Sequence, residues 1–170
     1  MNLKNEIIEK SAGKAALLWP LIILLAISLV LRLAGLGERS YFNDELSALY
    51  RLQAYNFSEL IENGVKPDYH PAGVQVFLYY WTCLAGDHPF MVRLPFALAG
   101  VGSVWLLFLL GTRWFGRTTA WLAAASLALL QFPLLYSQLA RPYSTGLLWI
   151  LAGAFFWDKL IFCNDNSIRH

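Results

Sequence analysis

Four long apolar runs constrain this chain more than anything else in it. Residues 15–36, 91–110, 118–136 and 144–163 each offer about 19 to 22 mostly apolar residues, and a helix of about 20 residues crosses the roughly 30 Å hydrocarbon core of a bilayer. Composition agrees: 58% of the 170 residues are hydrophobic and 14% are charged, where a soluble domain sits near half apolar and a quarter charged. The expected fold class is therefore an all-α membrane protein, a single membrane domain with about four transmembrane helices. The first run is too long for the apolar core of a signal peptide and has no small-residue cleavage site after it, so it is expected to stay as a span. Pro20 falls near its start, where a helix loses little. Arg32 falls near its far end, from which it is expected to snorkel to the interface.

Residues 37–90 are the most polar long stretch and are expected to form the first outer loop. Between Asp44 and Ile61, apolar residues recur at rough helical spacing, as in helices lying on a membrane surface. Asn63-Gly64 and Lys66-Pro67 end that element. Pro71–Leu84 is apolar but interrupted by Gln75, and its roughly 14 residues span about 21 Å, too little to cross. It is expected to lie on or dip into the outer leaflet. With four spans, Lys4, Lys10, Lys14, Arg113, Arg117, Lys159 and Arg169 all gather on one side, as the positive-inside rule asks. Both termini are then expected in the cytoplasm and the protein in the plasma (inner) membrane. A net charge of +2 with scattered Lys and Arg provides no groove for nucleic acid. Cys83 and Cys163 would face opposite sides, and read as small apolar filler.

This topology brings a polar set to the outer face. The first loop supplies Asp44, Glu45, Glu62, Asp68 and His70. Arg93 begins the second span, and the SQLARPYS connection supplies Ser137, Gln138, Arg141 and Tyr143. Arginine is the fork suited to phosphate oxygens, and a carboxylate can take a hydroxyl proton or hold a divalent metal. Plainer readings stand beside these. Asp44-Glu45 equally suits the N-terminus of a surface helix, His70 a turn before Pro71, and Arg93 and Arg141 headgroup anchors. The tryptophans and tyrosines suit interface belts.

The run YFNDELSALY after a span ending LRLAGLG resembles the Asp-Glu signature of the GT-C membrane glycosyltransferases. The likeness is to the bacterial branch related to protein O-mannosyltransferases and to the lipid A aminoarabinose transferase. PDYHPAG is similar to that family's His-Pro-Pro stretch, with Ala72 in place of the second proline. VRLPFALAGVGSVWLLFLLGTRWFG resembles its Arg-x-Pro helix and Arg-x-Phe-Gly turn, and SQLARPYS its Ser-x-x-Ala-Arg-x-Tyr segment. The four matches fall in family order over residues 25–150. The resemblance implies inverting transfer of a sugar from a polyprenyl-phosphate donor to a lipid, glycan or protein acceptor at the outer face. It implies Asp44 as catalytic base or acceptor-binding carboxylate with Glu45 beside it, and His70, Arg93, Arg141 and Tyr143 toward the donor. If a cofactor is used it would be a divalent metal, with Glu62 and His70 as ligands. Family members carry more spans, so the chain is expected to be an N-terminal portion whose missing C-terminal half completes the donor cavity. The competing expectation is a four-span accessory or flippase-like subunit. The long acidic loop argues against it, and apolar span centres argue against a transporter fragment.

Overall fold

The structure, a computed structural model, describes residues 3–67 and 71–162, with side chains from residue 18 onward. Asp68, His70, Cys163, Arg169 and the Lys4, Lys10 and Lys14 side chains lie outside the described residues. Every element among the described residues is helical: α1 (Leu3–Leu33), α2 (Asn43–Ala54), α3 (Phe57–Glu59), α4 (Ala72–Ala85), α5 (Pro89–Trp114), α6 (Arg117–Leu129), α7 (Gln131–Ser137) and α8 (Pro142–Phe162), with a π-helical stretch Leu60–Val65 following α3. The chain is an all-α membrane protein.

Among the described residues two helices, α5 and α8, are long and apolar enough to cross a membrane, and α6 with α7 makes a third candidate if the bent pair is one span. α1 is 31 residues long, and its apolar part is Leu18–Leu33. It begins well before the apolar run does, because Lys and Glu extend a helix nearly as well as Leu. It stops at Leu33, where Gly35 takes φ +65° and turns the chain away. The 14 residues of α4 reach only about 21 Å.

α5 is the hub, packing against α1, α4, α6, α7 and α8. Its partner α6 presents Ala120, Ala124 and Ala128, all buried on one stripe, to Val104 and Phe108 of α5 and Leu21 and Leu24 of α1. Small residues let helix backbones approach closely where lipid removes the hydrophobic drive between helices. A Cβ on Gly111 would sit 3.0 Å from the Cα of Ala120, which measures how close that approach is. Gly116, at φ +88°, makes the short turn between the two helices. At that end Asp158 of α8, buried, accepts from the Trp114 indole at 2.9 Å and pairs with Arg113 at 2.5 Å. Arg113 thus ties α5 to α8, beyond the charge bias that the sequence assigns to it.

Proline shapes two further features. Pro95 inside α5 has no N–H for the Met91 carbonyl. The Trp81 indole of α4 donates to that oxygen instead, at 2.8 Å, so Trp81 does more than line an interface. Pro133 contributes to a correction: the third run, expected as one helix over 118–136, is two helices bent by 58°. Leu130 is extended (φ −65°, ψ 140°), and a proline at 133 would clash with a continuing helix at the carbonyl of Leu129.

The break also overturns the expectation for Arg32, which is 1% exposed. It does not snorkel. Its guanidinium turns into the bundle and donates to the carbonyls of Leu127 at 2.9 Å and Ala128 at 3.2 Å, two groups that the end of α6 leaves without helical partners.

Candidate functional site

The C-terminal end of α1, the N-terminal ends of α5 and α8 and the C-terminal end of α7 meet at one end of the bundle, under the loop that carries α2. A second apolar cluster seats that loop: Leu49 of α2, Leu78 of α4, Val92 and Phe96 of α5, and Ala140. Gln75, which interrupts the apolar run of α4, fastens it to α2 by donating to the Ala48 carbonyl at 2.9 Å.

Glu45 is the third residue of α2 and accepts from the Phe42 N–H at 3.2 Å, closing the helix start as a capping box does. The same carboxylate accepts from Arg93 Nε at 3.0 Å, Arg93 Nη2 at 2.8 Å and the Ala140 N–H at 2.9 Å. It is fully buried. Arg93 donates in addition from Nη1 to the carbonyls of Leu36 at 3.0 Å and Arg39 at 2.9 Å, and from Nη2 to that of Ser40 at 3.0 Å. A guanidinium has five N–H donors, and all five are engaged. A charge buried this deeply survives only when paired and hydrogen-bonded throughout. The fork holds α2 and the 36–40 turn onto α5 and has no donor left for a ligand. The Tyr41 ring lies 4.8 Å from the guanidinium carbon, and its hydroxyl donates to the Asp87 carbonyl at 3.1 Å. Burial pushes the Tyr41 phenol up, with Glu45 and Asp87 adding to the rise and Arg93 opposing it.

Arg141 is held differently. It is 3% exposed, its Nη2 donates to the Asp44 carbonyl and to Ser47 Oγ at 3.2 Å, and its buried Nε has no partner. Arg141 and Asp44 both line a cavity of about 270 Å³ whose walls include Arg39, Tyr136, Gln138 and Tyr143. Asp44 is exposed and also lines a second, more open hollow of about 360 Å³ with Tyr41, Phe42 and Asn43. Asp44 thus borders both spaces. The rings of Tyr136 and Tyr143 meet edge to face at 4.8 Å.

The sequence-selected residues thus separate. Asp44, Glu45, Arg93, Arg141 and Tyr143 converge at one end of the bundle. Glu62 does not join them: it pairs with Lys66 on the exposed side of the π-helical stretch. His70 lies outside the described residues. Among the described residues, no three of His, Cys, Asp and Glu approach closely enough to hold a metal ion. Arg39 and Tyr136 join the site without having been singled out by sequence. Arg39 sits just past the first apolar run, and only its contact with Gln138, at 2.8 Å, brings it to the cavity.

A family described as dolichyl-phosphate-mannose-protein mannosyltransferase matches residues 69–169. No curated protein and no solved structure matches the chain. The matched segment runs from α4 through α8 and includes Arg93, Arg141 and Tyr143. Asp44 and Glu45 precede it, and are joined to it by the two arginines.

Proposed function

Because this chain belongs to the dolichyl-phosphate-mannose-protein mannosyltransferase family, a family of GT-C membrane glycosyltransferases, we propose that it transfers a sugar from a polyprenyl-phosphate donor to an acceptor hydroxyl at the outer face of the membrane. One observation carries the reading. Asp44 and the incompletely partnered Arg141 line the same cavity, and Asp44 also lines a second, more open hollow.

In this mechanism the donor phosphate sits against Arg141 and Arg39, and the acceptor enters beside Tyr41 and Asn43. The acceptor oxygen attacks the anomeric carbon as its proton passes to the Asp44 carboxylate. The bond from that carbon to the phosphate oxygen breaks, and polyprenyl phosphate leaves with the electron pair. Attack from the face opposite the phosphate inverts the anomeric centre. Glu45 and Arg93 position these groups without touching substrate, since their acceptors and donors are already engaged by the protein. Tyr136 and Tyr143 form an aromatic wall against which the sugar or the first isoprene packs.

The same reading takes α1, α5, the α6–α7 pair and α8 as four spans, with residues 37–90 outside and both termini in the cytoplasm of a plasma membrane. Further spans from a C-terminal half would complete the donor cavity. The test is transfer of labelled sugar from a polyprenyl-phosphate donor by the protein in lipid, with and without that half. Asp44→Asn should lower turnover by about a hundredfold or more, the usual worth of a general base. Turnover indifferent to Asp44→Asn would remove Asp44 from the mechanism.

A further inference from the structure

Two side chains tie the bent α6–α7 pair to α1: Arg32 of α1 meets the end of α6, and Gln138, just past α7, meets the end of α1. We propose that Arg32 and Gln138 form a reciprocal clasp that sets this bend and thereby positions Arg141 against Asp44. The inference rests on the reading of Asp44 and Arg141 as the transfer site.

A helix that stops leaves its last carbonyls unpaired, and at both α6 and α1 side chains from elsewhere in the chain take them. At the end of α6 the carbonyls of Leu127 and Ala128 are taken by Arg32, which α1 supplies. At the end of α1 the carbonyls of Leu31, Arg32 and Ala34 are taken by the Gln138 amide at 3.1 to 3.2 Å, which the segment after α7 supplies. Ser28, one turn before Arg32, fixes the guanidinium by accepting at 2.6 Å. Gly100 of α5 makes the space: a Cβ there would lie 2.7 Å from Arg32 Nε and 2.7 Å from Ser137 Cβ.

Among the described residues Arg32 pairs with no carboxylate. An arginine buried beside neutral acceptors alone would be a poor way to gain stability, but a guanidinium fork is suited to bridging two adjacent carbonyls at a fixed angle. From Gln138 the chain needs only three residues to reach Arg141. The Ala140 N–H on that path donates to Glu45 at 2.9 Å, so the angle of α7 is passed directly to the site. Arg32 and Gln138 are positioning residues, since neither has to touch the reacting atoms to do this.

The experiment places spin labels at Thr118 on α6 and Phe132 on α7, both exposed, in protein lacking its cysteines and held in lipid. Wild type should give one narrow distance. Arg32→Met and Gln138→Leu should each broaden and lengthen it, the double variant should be no worse than either alone, and Arg32→Lys, which keeps the charge but loses the fork, should stay close to Arg32→Met. Transfer should fall about tenfold to a hundredfold in Arg32→Met, as for ångström-scale misplacement, and fall with it in Arg32→Lys. An unchanged distance in Arg32→Met with native helix content would show that Pro133 alone sets the bend, and would overturn the clasp. Should Arg32→Met fail to fold, the same two readouts on Gln138→Leu decide. Transfer that needs Asp44 but ignores both variants would overturn the positioning role and leave the site reading standing. A bend that responds in protein showing no transfer even with its C-terminal half would overturn the site reading and leave the clasp standing.

Discussion

Two buried arginines at the same end of the bundle are held in opposite ways. Arg93 is matched by a carboxylate, and its five donors all close on protein oxygens. Arg32 has no carboxylate within reach among the described residues and leans on helix-end carbonyls and a serine. The first arrangement fastens a polar loop to a membrane helix, where any loose charge would be costly. The second fills a gap that a helix break opened. The difference teaches that the environment required of a buried cation is set by what lies around it: a full charge pair in one place, a pair of helix-end dipoles in the other.

Removing the partner from each region separates them. Glu45→Ala leaves Arg93 charged and buried with the Phe42 and Ala140 N–H groups unmet, and should cost about 3–5 kcal/mol by denaturant titration in mixed micelles. A loss near that of a surface ion pair, roughly 0–1 kcal/mol, would show that the loop does not depend on this fork. Gly100→Ala attacks the second region by space alone. Overpacking there should cost about 1–3 kcal/mol and shift α7, whereas an unchanged melting temperature would mean that Arg32 and Ser137 yield freely. The smallest effect concerns Tyr41, beside the first fork. Its phenol is raised by burial, so the folded state holds that proton more tightly than the unfolded one. The stabilisation is fully present below the unfolded value of about pH 10 and is lost as pH rises through the higher folded value. Tyr41→Phe should flatten that alkaline loss in unfolding midpoints taken between about pH 8 and 11. An identical slope in both proteins would assign it to other groups.

Much of the helical layout was legible because hydropathy and turn chemistry are local. The run at 91–110 falls within α5, the run from 144 continues in α8 to Phe162, and the amphipathic 44–61 stretch is divided among α2, α3 and the start of the π-helical segment. The capping reading of Asp44-Glu45 was right for Glu45 and incomplete for Asp44, which lines both cavities. The kink at Leu130 carried a signal in Pro133, but the surrounding apolar run hid it. Arg32 misled for a related reason: position near a span end says where a long side chain could reach, not which way it turns. Long apolar helices were also not equal. In α5 56% of the apolar window is buried in the protein, and in α8 only 6%, although both read as spans. The surface α8 leaves uncovered is large and apolar, fit for lipid or further helices.

By itself, the sequence determined that the chain is a helical membrane protein with a long acidic first loop, and which few polar residues are available beside that loop. Apolar runs against bilayer thickness decide the first, and residue identity the second. Only the tertiary structure decided what each polar residue is free to do. Arg93 is consumed by contacts 48 to 57 residues away in sequence, while Arg141, reaching back 97 residues to Asp44, lines the cavity and keeps a buried Nε without a partner. Hydrogen-bond saturation depends on which distant carbonyls and carboxylates the fold brings near, and no local pattern records that.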